Sequence, residues 1–220
     1  MPLSGLAADS NTEKAVSTSS RERILQAAKH LFARNGYENT STVAIARDAG
    51  TSESQLMKHF GSKQGLLVAI LDRGWAGIIQ RVQALSSRDN PGRLFGMLEA
   101  IVIEMGNDQE LKELMTLESR RMRKDGRDVL MSRGYRQFAE LFEVVLSDMR
   151  RDGQIRADLN LEAVRAALVG MTESLLRDQV VAMRSDLRAG FSFDDIREVL
   201  QALVPALAGD PVTPFKSANG

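Results

Sequence analysis

The sequence predicts an all-α protein: a small N-terminal three-helix domain followed by a larger helical body. Three observations predict it. Apolar residues recur at three- and four-residue steps along nearly the whole chain, which is the period of a helix with one buried face. Ser, Asp or Asn precedes these runs and Gly often follows them, as helix caps do. No alternating apolar–polar run competes for a strand, and aromatic content is only 5%, without the enrichment that marks sheets.

The first helix opens at Ser19-Ser20-Arg21-Glu22, where Ser19 and Glu22 have the spacing of a capping box. It continues through Ile24, Leu25, Ala28, Leu31 and Phe32 to a stop at Asn35-Gly36. Residues 41 to 60 then read as two short amphipathic helices separated by one glycine. Val43, Ile45, Ala46 and Ala49 supply the small apolar face of the first, and Gly50 leaves it through a left-handed residue. Ser52 caps the second, with Gln55 completing a Ser-x-x-Gln capping box. Leu56 and Phe60 fall on one inward face, leaving Thr51, Glu53, Ser54, Gln55, Met57, Lys58 and His59 outward. A short, polar, exposed helix after a tight turn suits the groove of double-stranded DNA.

Composition bounds the function. Net charge is zero over 220 residues, but residues 20 to 66 carry seven basic against four acidic side chains, a net +3 that leaves −3 elsewhere. Affinity for DNA follows the phosphates neutralised at the contact face, so this balance is compatible with it. Cysteine is absent, which excludes disulfides, thiolate metal sites and cysteine nucleophiles and fits a reducing cytoplasm. The N-terminus lacks the basic and apolar regions of a signal peptide, and no run is long enough to span a bilayer. His30 and His59 are the two histidines and both fall in the N-terminal domain. No phosphate loop, metal-ligand spacing or nucleophile elbow appears, so the expectation is a non-enzyme without cofactor or metal.

Phe32-Ala33-Arg34-Asn35-Gly36-Tyr37, Thr42-Val43-Ala44-Ile45-Ala46, Ala49-Gly50-Thr51-Ser52 and Phe60-Gly61-Ser62-Lys63 follow one another in an order and spacing that resemble the TetR family of bacterial transcription regulators. The resemblance covers residues 19 to 70 in motif detail and the remainder in helical layout and length. It implies phosphate contacts by Thr42 and Lys63, at the starts of the second and fourth helices. A hydroxyl at a helix N-terminus and a lysine after a cap suit that role physically. Base reading falls to Thr51, Ser52, Glu53, Ser54 and Gln55, with Gln55 suited to adenine and Glu53 to cytosine. Family members usually carry glycine at Ser54 and tyrosine at Met57. Met57 cannot donate the tyrosine's phosphate hydrogen bond, and Lys58 and His59 beside it offer donors instead.

Beyond the first domain, Ser62 to Leu85 forms a long helix through Leu67, Leu71, Gly74, Trp75, Ile78 and Val82. Asn90-Pro91 opens the next as cap and first-turn proline, with Leu94, Leu98, Ile101, Val102 and Met105 as its stripe. Further helices are expected over 108–123 and 127–151, the latter ending at Gly153. Asn160 caps one that runs to Arg184, and Ser192 opens the last, carrying Ile196, Val199, Leu200, Leu203 and Leu207, with Asp194-Asp195 at its positive end. The domains are therefore a tail (1–18), a DNA-binding domain (19–66), an effector-binding and dimerisation domain (67–208) and a second tail (209–220).

The resemblance implies that the two C-terminal helices pair with those of a second subunit, a twofold homodimer matched to a palindromic operator. It also places a small-molecule effector among Trp75, Ile78, Met97, Ile101, Met105, Met115, Phe138, Phe142 and Met171. Thioether side chains repack around ligands of differing shape. The expected function is a cytoplasmic repressor released from its operator by a small apolar ligand. The alternative is a small-molecule-binding helical protein without operator binding.

Overall fold

The computed structural model describes residues 19–85, 89–118, 132–185 and 190–207, with residues 117, 118 and 206 described by backbone alone. Among them every regular element is helical: α1 (Ser20–Asn35), α2 (Thr42–Asp48), α3 (Glu53–Phe60), α4 (Lys63–Gln83), α5 (Asn90–Asn107), α6 (Gln109–Glu113), α7 (Arg133–Arg151), α8 (Leu161–Arg184) and α9 (Phe193–Ala206). A π-helical turn, Leu114–Glu118, continues α6. No described helix is long and apolar enough to cross a membrane.

Helices α1 to α3 and the first turns of α4 form the head. Its core is Ile24, Ala28, Phe32, Ile45, Ala46, Leu56 and Leu66, all buried. Side-chain caps delimit the elements: Ser41 accepts from Ala44 N at 3.1 Å, Ser52 from Gln55 N at 3.2 Å and Ser62 from Gly65 N at 2.9 Å. Each satisfies one amide that the helix itself leaves unpaired. Gly50 (φ 61°) and Gly61 (φ 73°) end α2's turn and α3 in the left-handed region, which residues with a Cβ enter only at a cost.

The body is built on α4. Its Gly74 lets α6 approach so closely that a Cβ there would lie 2.8 Å from Leu111 Cδ1 and 2.9 Å from Met115 Sδ. Gly134, in the first turn of α7, sits where a Cβ would be 2.4 Å from Cβ of Trp75. Asp72 Oδ1 accepts from Gly134 N at 2.8 Å, so α4 caps the N-terminus of α7 from across the body. Helix α9 lies along α5, tied by Arg197 Nη2 to Glu99 Oε1 at 2.6 Å, and α8 packs on α5, α6 and α7.

Several local expectations change. Val43 is 60% exposed, so Ile45, Ala46 and Ala49 alone form α2's inner face. Ser19 accepts from Glu22 N, but the Glu22 carboxylate accepts from Arg73 and Gln26; an ion pair to α4 outcompetes the reach back to the cap. Asp89, not Asn90, caps α5 by accepting from Gly92 N at 2.9 Å, which puts Asn90 inside the helix. The 108–123 helix becomes a five-residue α6 and the π turn, and its remainder lies outside the described residues. Helix α7 starts at Arg133 behind Ser132, while residues 127–131 also lie outside. The two terminal tails, apart from the expected helix end near 207, are outside as well. A reciprocal capping box does form at α9, where Asp195 receives the Ser192 amide and hydroxyl.

Candidate nucleic-acid interface and its connection to the body

The turn between α2 and α3 is closed by Thr51 N donating to Ala46 O at 2.9 Å and Gly50 N to Arg47 O at 3.2 Å. Leu56 is fully buried and orients α3 with Glu53, Ser54, Gln55, Met57, Lys58 and His59 on the open side, Thr51 half-buried at the turn. Ser52 stands at the N-cap. Backbone amides and a capping hydroxyl therefore lie at one end of an exposed polar helix, an arrangement that receives phosphate or base edges.

Two candidate residues touch. The Thr42 hydroxyl at the start of α2 donates to the Glu53 carboxylate at the start of α3. A phosphate at Thr42 would therefore sit beside a carboxylate, and the hydroxyl would have to turn from Glu53 to donate to it. His59 Nε2 lies 3.1 Å from Ser20 Oγ, and Arg21 stacks over Phe60 at 5.2 Å; both contacts join α3 to the first turn of α1.

Lys63 is engaged rather than extended. Its ammonium donates to the carbonyls of Tyr37 (2.6 Å), Thr40 (2.9 Å) and Glu38 (3.3 Å) and lies 4.3 Å from the centre of the Tyr37 ring. An ammonium has three protons, so a phosphate at Lys63 would take over one of these bonds. In this conformation Lys63 is a strut that fixes the α1–α2 loop on α4.

The expected effector residues converge around α4, α5, α7 and the π turn. Trp75, Ile78, Met97, Ile101, Met105, Met115, Phe138 and Phe142 are buried, and Met171 is partly buried against them. Trp75 lies 5.0 Å from Phe138 and 5.3 Å from Tyr135 between ring centres, and Phe138 5.8 Å from Phe142. In this conformation they pack on one another as core. Among the described residues the buried Gln179 Oε1 atom of α8 meets no hydrogen-bond donor, a polar feature with no local signature in the sequence.

Charge crosses the seam between head and body. Lys29 of α1 pairs with Asp108 at 2.6 Å, His30 Nδ1 lies 2.7 Å from Glu110, and Arg73 of α4 pairs with Glu22. The Arg73 hydrogen bond holds the Glu22 carboxyl below its ordinary range. A cavity of about 130 Å³ lies within this seam, bordered by Leu25, Ile70, Arg73, Glu104 and Leu111. On α6, Lys112 is 3% exposed and its ammonium lies 5.0 Å over the Phe193 ring; burial pushes its pKa down. Nothing local in the sequence marks Lys112, because a single lysine in QELKE has the spacing of an ordinary solvated charge.

The family profile described as "Bacterial regulatory proteins, tetR family" matches residues 24–70, the head and the start of α4. Over these residues the chain resembles the tetR family. It is 26% identical over 166 residues to the HTH-type transcriptional regulator UidR of Escherichia coli, covering 72% of this chain and 80% of that one. It is 26% identical over 189 residues to the HTH-type transcriptional repressor AcnR of Corynebacterium glutamicum, covering 83% and 89%. The fold is shared with the Bacillus subtilis transcriptional regulator FadR, solved in complex with stearoyl-CoA, at a TM-score of 0.70 and 16% identity over 84% of this chain and 97% of that one. The similarity is thus to helix-turn-helix transcriptional regulators of the tetR family, and α1 to α3 fall within the matched segment apart from the first turn of α1. UidR is named as a transcriptional regulator and AcnR as a transcriptional repressor.

Proposed function

We propose that this tetR-family regulator is a cytoplasmic repressor that occupies its operator as a twofold dimer and leaves it when a small apolar molecule enters the body. The observation that carries the reading is the exposed polar face of α3, locked onto the head by buried Leu56. Thr51, Ser52, Glu53, Ser54 and Gln55 read bases, with Gln55 suited to a bidentate bond to adenine. Lys58 and His59 face phosphate, and Thr42 and Lys63 join them after exchanging their present partners. The working units are a DNA-binding domain over 19–66 and an effector and dimerisation domain over 67–208.

The dimer surface is the outer face of α8 and α9. Ala163, Ala166 and Ala167 are exposed on α8, and a Cβ at Gly170 would meet nothing within 4 Å. Val181, Met183, Val199 and Leu203 are exposed large apolar residues on the same two helices, an outlay that a partner helix pair would bury.

The effector enters where Trp75, Phe138 and Phe142 now stack. The B. subtilis FadR complex with stearoyl-CoA supports an apolar ligand for this architecture. A molecule there separates α7 from α4, and the Asp72–Gly134 cap transmits the shift to α4, whose first residue is the Lys63 strut. A ligand that prefers the resulting head spacing weakens operator binding by its differential affinity for the two states. The test is fluorescence anisotropy with DNA upstream of the coding region, followed by a ligand screen read as release. Specific binding reversed by an apolar ligand supports the repressor. Failure to bind any sequence selected from a random pool would leave the alternative, a ligand-binding helical protein without an operator.

A further inference from the structure

Arg184 lies in the last turn of α8, 151 positions from the residue it contacts in the head. Its Nη2 donates to the Ala33 carbonyl of α1 at 2.6 Å and also to Glu113 Oε2 of α6. Ala33 is in the final turn of α1, where carbonyls have no amide four residues ahead inside the helix to accept from; Gly36 N takes Phe32 O instead. The guanidinium therefore caps the end of α1 from the body, placing a cation at the negative end of the helix. Glu113 is the more buried partner, its side chain 16% exposed against 47% for Arg184, so α6 fixes the direction from which the guanidinium approaches.

Helix α1 carries the head's core through Ile24, Ala28 and Phe32 and receives α3 through the Ser20–His59 and Arg21–Phe60 contacts. Whatever sets the angle of its C-terminal end also sets where α3 points. Lys29–Asp108 and His30–Glu110 hold the same end to α5 and α6, but only Arg184, among the contacts described above, brings α8 to it. We infer that Arg184 is a positioning residue for operator binding: it transmits the orientation of α8, and hence of the subunit pairing that α8 would set, to the recognition helix through the Ala33 carbonyl. This rests on the operator-binding reading above.

The chemistry separates a positioning role from a plain surface ion pair. The two Nη2 protons lie in the rigid guanidinium plane and reach the carbonyl and the carboxylate in fixed directions, whereas a lysine ammonium, on a shorter and rotatable stem, keeps the attraction to Glu113 without holding that geometry. The experiment uses the full chain, with R184Q, R184K, E113Q and the R184Q/E113Q double variant. A duplex selected from a random pool by the wild type is the DNA probe. Two readouts are taken: operator affinity, and amide hydrogen exchange of residues 33–40 in the free protein.

R184Q is expected to weaken operator binding about 5- to 20-fold, a typical coupling between sites, and to speed exchange at residues 33–40. R184K is expected to fail to restore operator affinity although the ion pair with Glu113 can reform. The double variant is expected to match R184Q, as two members of one contact are not additive. Full rescue by R184K, or unchanged operator affinity in R184Q with wild-type binding intact, would overturn the proposal. If the wild type selects no sequence, the operator reading fails by itself, and unchanged exchange in R184Q would then overturn the clasp as well.

Discussion

Lys63 and Glu53 each combine a contact within the head with a place on the face proposed to meet DNA, and substitutions at the two positions separate these roles. Lys63→Met removes hydrogen bonds to three loop carbonyls and is expected to destabilise the head by about 1.5–3 kcal/mol, the range for a bond to a charged donor. Urea unfolding followed by the signal of the head checks it. Glu53→Gln frees the Thr42 hydroxyl from a carboxylate and removes a negative charge from the phosphate approach. Non-specific DNA affinity at low salt is then expected to rise by about 3- to 10-fold, and the gain to shrink as salt screens the charge. Neither contact was legible in the sequence. The position of Lys63 after Ser62 was plain, but which carbonyls it reaches depends on a loop 23–26 residues earlier folding back on α4. Ser52, Ser62 and Gly50 were legible, since a cap or left-handed residue acts within its own turn.

Helix α6 carries Asp108 at its cap and Glu110 and Glu113 toward the head and α8, with Lys112 turned inward against Phe193. Burial disfavours the charged form of Lys112, so the folded chain holds its proton less tightly than the unfolded chain does. Stability attributable to this group therefore rises with pH between the lowered folded pKa and the ordinary lysine value. Lys112→Met is expected to raise the melting temperature at neutral pH, with the advantage narrowing as pH approaches that ordinary value; calorimetry across the range checks the sign. The close approaches of α4 give a second contrast. Gly134→Ala drives a methyl into Cβ of Trp75 and is expected to cost about 1–3 kcal/mol as overpacking. Gly77→Ala meets the carboxylate end of Glu104 instead, a flexible group that can swing away, and is expected to cost less. Helical period announced α4, α5, α7, α8 and α9 because one apolar face recurs over many turns. It overran α6, whose five residues and π turn are too short for a period to register, and it placed Val43 inside because a seven-residue helix leaves the apolar face loosely defined.

The assembled picture is a basic head on an acidic body, joined through α4 and by ion pairs across the α1–α6 seam. The order of helices and the head-and-body division followed from caps and spacing, and the motif series carried the resemblance to the tetR family. The seam did not, because Lys29–Asp108, Arg73–Glu22 and Arg184–Ala33 join residues 51 to 151 positions apart and have no local signature. If the outer face of α8 and α9 pairs two subunits, Leu203→Glu is expected to yield monomers in analytical ultracentrifugation and to weaken operator binding about 100-fold or more, since each half-site is then engaged alone. Whether α3 reads a DNA sequence is tested by an anisotropy titration of wild type and Gln55→Ala against a selected duplex and a scrambled one across a salt series. Wild type is expected to prefer the selected duplex, with a linear fall of log affinity with log salt, and Gln55→Ala to lose about 1–3 kcal/mol of discrimination with the salt slope kept. Equal affinity of the wild type for both duplexes at every salt concentration would contradict it.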